Sequence, residues 1–167
     1  SVGAGIFSIN SSTTLKMSGN ARVTNDNDIY LHSNSVITIT GGALTGTAPV
    51  ARITVPDDKY NTGTQVLLAG TGVTLANETY KFAVTPKGSE KWTVGGNGCL
   101  KEGRYTEVPY GQLETYLANA SSTEVNYIEV TGISAADLTG SYGSPPDPGA
   151  LGQKIKNNPS KKVALKL

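Results

Sequence analysis

A chain of 167 residues with fourteen basic and thirteen acidic side chains carries a formal charge of +1, so no basic surface marks it as a binder of nucleic acid or anionic membrane. Glycine takes 20 positions and charged residues only 16%, against ordinary shares of about 7% and 25%, a mix that favours tight turns and Ser/Thr/Asn-rich strands over helices. One cysteine, Cys99, excludes an internal disulfide and a cysteine-based zinc site, and no run approaches the ~18 apolar residues of a spanning helix, so direct membrane insertion is not expected.

The chain opens on SVGAGIFSIN, with neither an initiating Met nor a basic stretch ahead of an apolar one, and closes on KKVALKL in strand character. Both ends are expected to be cuts through something longer. From Gly5 the chain repeats itself: a gapless offset of 22 residues aligns Phe7 with Ile29, Ile9 with Leu31, Leu15 with Ile37, Met17 with Ile39 and Gly19 with Gly41. Polar residues fall between the apolar ones, which is strand alternation with every second side chain inward. Gly19 and Gly41 follow the second strand of each copy, where a corner needs positive φ.

The same offset carries Ile29 and Leu31 onto Ala51 and Ile53 in VARITV, so a third copy begins there. PDDKYNTGT then reads as an inserted loop, QVLLAG resumes a strand, and TYKFAV and KWTV read as further strands without a clean fourth copy. A period near 20 with short strands and no helix predicts a mainly β fold, a short right-handed parallel β-solenoid over residues 1–103. The alternative is a β-sandwich whose strands happen to align.

Character changes at GGNGCLKEG. In residues 104–167 a second repeat, offset by 38, aligns Leu113 with Leu151, Leu117 with Ile155, Asn119 with Asn157, Val125 with Val163 and Tyr127 with Leu165. Apolar residues at i and i+4 give one face of a short helix, Asp147 before Pro148 supplies a helix start, and VNYIEV and VALKL alternate as strands. Helix then strand, twice, predicts a small α/β unit with two adjacent parallel strands and both helices on one face. Ser134 and Asp137 match a capping box for a turn at ISAADL.

Few residues carry chemistry. His32, the one histidine, alternates outward beside Tyr30 and opposite Asn10, and builds neither a triad nor a two-histidine metal site. Asp57 and Asp58 read as solubilising turn residues of the inserted loop. NDND at 25–28 makes Asp26 and Asp28 a calcium candidate, but the spaced loop with its Gly and distal Glu is lacking, and Asn and Asp also cap their own turns. No cofactor is expected. Tyr30, Trp92 and Tyr142 are the ligand-binding candidates, since aromatic rings stack on sugars or anchor protein partners; Trp92 also suits a plug for the end of the stack. Tyr127 and Cys99 read as core.

SSTTLKMSGNARV and SNSVITITGGALTGTAPVARITV resemble the β-helix repeats of large bacterial, spirochaete-like cell-surface proteins. GQLETYLANASSTEVNYIEVTGI with LGQKIKNNPSKKVALKL resembles the segment that introduces adhesin-type leucine-rich repeats. The resemblance implies a secreted or lipid-anchored, extracellular module that binds host or neighbouring-cell protein or glycan; the leucine-rich units themselves are missing from this sequence. The expected function is structural and adhesive, without catalysis. A carbohydrate-binding module using exposed aromatics is the alternative, and a degenerate polysaccharide-degrading β-helix a third reading. Open strand edges also lead us to expect self-association through the stack's ends.

Overall fold

The computed structural model describes residues 7–9, 14–23, 28–32, 34–140 and 149–167. The chain divides into two compact units, Ser1–Thr106 and Glu107–Leu167. The whole is mixed α/β, built of short strands in small sheets, most of them parallel.

In the first unit, β1 (Phe7–Ile9), β3 (Asp28–Leu31), β5 (Ala51–Thr54) and β7 (Phe82–Val84) form one sheet, and β2 (Leu15–Met17), β4 (Ile37–Ile39) and β6 (Leu67–Ala69) another. Every pairing in both sheets is parallel. A β-sandwich pairs its strands antiparallel, so that alternative does not describe them. Phe7 pairs with Ile29, Ile9 with Leu31, Leu15 with Ile37 and Met17 with Ile39, the partners that the repeat predicts. In β4 and β5 the inward positions are apolar and the outward ones polar: Ile37 and Ile39 are buried and Thr38 is half-buried, while Ala51 and Ile53 are buried and Arg52 exposed. Inward side chains of both sheets, with Met17, Ile29, Ile37, Ile53 and Leu67 among them, make one core. Gly19 and Gly41 do take positive φ, at 55° and 71°.

The third copy departs from the offset. Ile29 pairs with Ile53, not Ala51, because the loop ahead of β5 is longer than its predecessor. A fourth strand follows where the repeat was not legible: β7 sets Phe82 against Ala51 and Val84 against Ile53. The first half of TYKFAV is not strand but a 3-10 turn, Thr79–Lys81. GGNG is a hairpin turn, joining β8 (Trp92–Val94) antiparallel to β9 (Leu100–Glu102). The Gly98 carbonyl in that turn accepts the Val66 and Leu67 N–H groups, each at 3.0 Å, and Leu100 N–H donates to Thr64 O at 2.8 Å. The hairpin thereby satisfies backbone at β6, the edge of its sheet, that would otherwise be unpaired.

The second unit is built on the sheet order β10-β11-β12, from β10 (Thr106–Pro109), β11 (Val125–Thr131) and β12 (Lys162–Lys166). Its helices are α1 (Leu113–Asn119), α2 (Ala135–Leu138) and α3 (Gly149–Lys156). β11 and β12 are parallel neighbours, Leu113, Leu117 and Leu151 are buried, and α1 packs against α3. Ser134 and Asp137 form the expected capping box at α2.

The strand register corrects the second repeat by one residue: Asn126, not Val125, pairs with Val163, and Ile128, not Tyr127, pairs with Leu165. A one-residue slip exchanges faces. Accordingly Asn126, Ile128 and Val130 are buried, Val125 is 44% exposed and Tyr127 only half-buried. Asn126 tolerates burial because its amide meets backbone: Nδ2 donates to Ser121 O at 2.8 Å and Lys162 O at 3.0 Å, and Oδ1 accepts Ser121 N–H at 3.2 Å. We expect Asn126→Ala to destabilise the second unit by about 1–3 kcal/mol, the usual penalty for orphaned buried groups. Urea unfolding followed at second-unit amides checks it.

Candidate functional site

Two depressions flank the inserted loop of the third copy. One, of about 370 Å³, is lined by Tyr30 of β3, Thr54 of β5, Asp57 and Tyr60 of the insertion, and Thr85 and Lys87 after β7. The other, of about 330 Å³, includes His32, Ser35, Lys59, Thr64 and Gln65. Parallel stacking positions the first site, because Tyr30, Thr54 and Thr85 come from consecutive copies; Tyr30 and Thr54 are paired residues, and Thr54 Oγ1 donates to Thr85 Oγ1 at 2.7 Å. Pro56 leads into the short turn Asp57–Lys59 that carries the insertion over the sheet.

Tyr30 is half-buried, and the His32 ring meets it edge-on at 4.7 Å between centroids. Such T-shaped contact holds a ring in one orientation. Tyr60, buried at the back, donates its hydroxyl to Thr85 O at 2.9 Å, and the Lys87 ammonium lies 6.0 Å from its ring centroid. Trp92 is 8% exposed, belongs to the core and abuts Tyr60 with ring centroids 5.6 Å apart and planes inclined at 61°. At that burial the ring packs on Tyr60 and leaves little surface open.

The other candidates are dispersed. His32 is exposed at the second depression. Asp57 and Asp58 are exposed, with Asp58 3.7 Å from Lys59. Cys99 is half-buried rather than core, its Sγ 3.4 Å from Gln65 Oε1, because the hairpin turn that carries it lies over β6. Asn10, Asp26, Tyr142 and the Asp147–Pro148 start lie outside the described residues, and of Asp28 only the backbone is described. Among the described residues no group of three or more His, Cys, Asp or Glu could hold a metal ion, and no helix is long and apolar enough to cross a membrane.

Two polar clusters escaped the sequence. Glu78 and Lys81 are buried together: Glu78 Oε2 accepts the Lys81 ammonium at 3.0 Å and the Leu44 N–H at 2.9 Å, while Lys81 Nζ donates to Leu44 O at 2.7 Å. The pair clamps both polar groups of one loop residue. Burial, and secondarily the Glu78 carboxylate, push the neighbouring Tyr80 hydroxyl above the usual phenol range. In the second unit the Ser134 side chain, then its backbone N–H, hold Asp137 below the usual carboxylate range. Burial and then Asp137 raise Tyr110, over whose ring Lys154 sits at 5.1 Å. The spacing of Glu78 and Lys81, three residues apart beside Tyr80 and Phe82, was the available signal; no sequence pattern brings Leu44 to them.

The first depression gathers groups suited to holding a ligand. It offers the half-buried ring of Tyr30 with Tyr60 buried behind, an acceptor-only carboxylate at Asp57 and a donor-only ammonium at Lys87. The chain matches no protein-family model, no curated protein and no solved structure.

Proposed function

We propose that this chain is a non-catalytic spacing and adhesion module of an extracellular bacterial surface protein. Residues 1–103 on this reading are a few turns of a right-handed parallel β-solenoid, and residues 104–167 lead into a leucine-rich array. The partner is a protein or glycan of a host or neighbouring cell. The observation that supports the reading most is the repeat register, in which two parallel sheets set apolar residues beside apolar residues through successive copies. Such an array grows by adding copies, while loops inserted into a copy are free to carry recognition.

The groove beside Tyr30 favours a second reading, carbohydrate binding. Beads coated with the whole chain test the first: they should be retained under flow on surfaces bearing extracellular polymers, with no new reducing ends released from polysaccharide in the presence of calcium. Absence of retention on every surface, or release of reducing ends, would overturn it.

A further inference from the structure

We propose that the groove lined by Tyr30, Asp57 and Lys87 binds a neutral pyranose, with Tyr30 under the sugar's C–H face and Asp57 and Lys87 on its hydroxyls. This assignment rests on the carbohydrate-binding reading and names both the ligand class and two further residues, Asp57, which the sequence marks only as a solubilising turn residue, and Lys87, which it does not single out.

The insertion that interrupts the 22-residue repeat supplies Pro56, Asp57 and Tyr60 to the groove. In a stacked array a loop confined to one copy is the part that the scaffold does not need, and such loops gather on the binding face. The volume, about 370 Å³, lies in the ordinary range of about 300–1,000 Å³ for small-molecule sites.

Chemistry narrows the ligand. At the bottom of the groove, hydrogen-bonding groups meet one another: Thr54 bonds Thr85, and the Tyr60 hydroxyl is committed to Thr85 O. At the rim, exposed Asp57 accepts and half-buried Lys87 donates. A sugar ring presents C–H groups on its face for an aromatic partner and hydroxyls at its edge that both donate and accept. It therefore satisfies the carboxylate and the ammonium together. The two rim charges are opposite, so an uncharged ligand leaves neither in excess, whereas an acidic sugar would set its own carboxylate against Asp57. Pro56 and Pro86 flank the groove, and their fixed φ lowers the ordering cost of binding.

The test is a 15N-detected NMR titration of the full chain with methyl glycosides of glucose, galactose and mannose, and with glucuronate. We expect saturable shifts at Tyr30, Asp57 and Lys87 for at least one neutral glycoside. Asp57→Asn and Lys87→Gln should each weaken that binding about tenfold or more, as loss of a charged hydrogen bond does. Tyr30→Ala should abolish it and Tyr30→Phe retain most of it, with the thermal midpoint of the two rim variants unchanged. Binding that these variants leave intact would overturn this groove as the site while keeping the carbohydrate reading; tighter binding of glucuronate would overturn the neutral ligand; no saturable binding of any sugar would overturn both.

Discussion

Glu78→Ala is expected to cost the first unit about 3–5 kcal/mol, the loss found when one partner of a buried ion pair is removed. Glu78 is 1% exposed and Lys81 9%, and both are bound to the backbone of Leu44. Alanine leaves an ammonium buried without its counter-charge and the Leu44 N–H without an acceptor, and each omission carries a desolvation penalty. Glu78→Gln keeps an acceptor oxygen and loses the charge, so its effect should fall between alanine and the native residue. The pair of Lys59 with the exposed Asp58, 3.7 Å apart, gives the contrast: Asp58→Ala should change stability by less than about 1 kcal/mol. Urea midpoints for the three variants check the ordering, and a Glu78→Ala loss as small as that of Asp58→Ala would refute the clamp.

Gly98→Ala should be the most damaging glycine substitution in the hairpin. Gly98 sits at φ 81°, and a Cβ there would press into the Leu67 carbonyl oxygen, with Gln65 Nε2 at 2.7 Å and Leu75 Cδ2 at 2.9 Å. Left-handed φ alone costs a side-chain-bearing residue about 1–2 kcal/mol. The overlap adds to this, because Leu67 belongs to β6 and cannot yield without shifting its sheet. We expect a total loss above about 2 kcal/mol, with faster amide exchange at Val66 and Leu67 as the Gly98 carbonyl is drawn away from them. Native exchange rates at those two amides in a stably folded variant would contradict the capping role of the hairpin.

The parts of the fold that were legible in the sequence are those governed by local alternation. Two copies of equal loop length kept Leu15 over Ile37 and Met17 over Ile39, so counting residues was enough. It stopped being enough at β5, where a longer loop moved the partner of Ile29 to Ile53. Likewise TYKFAV reads as a strand, but the 3-10 turn that occupies its first half obscures β7 as a fourth copy of the repeat. In VNYIEVT apolar residues fall on both faces, Val125 and Tyr127 on one and Ile128 and Val130 on the other, so hydropathy left the face undecided. The buried face was settled by Asn126, whose amide happens to meet three backbone groups.

The candidate site was legible only at Tyr30. Trp92 is a recognition candidate by its aromatic chemistry alone, but it is buried in the core against Tyr60, distant in sequence and delivered by the insertion. Asp57 and Lys87 belong to separate loops; their meeting is a product of stacking, which a linear pattern does not contain.

The stacking itself is tested most directly by nuclear Overhauser contacts in methyl-labelled protein. The account predicts long-range contacts running from Leu15 through Ile37 to Leu67, and from Ile29 to Ile53. Contacts of Ile37 with neither Leu15 nor Leu67, in a folded sample with dispersed methyl resonances, would contradict it.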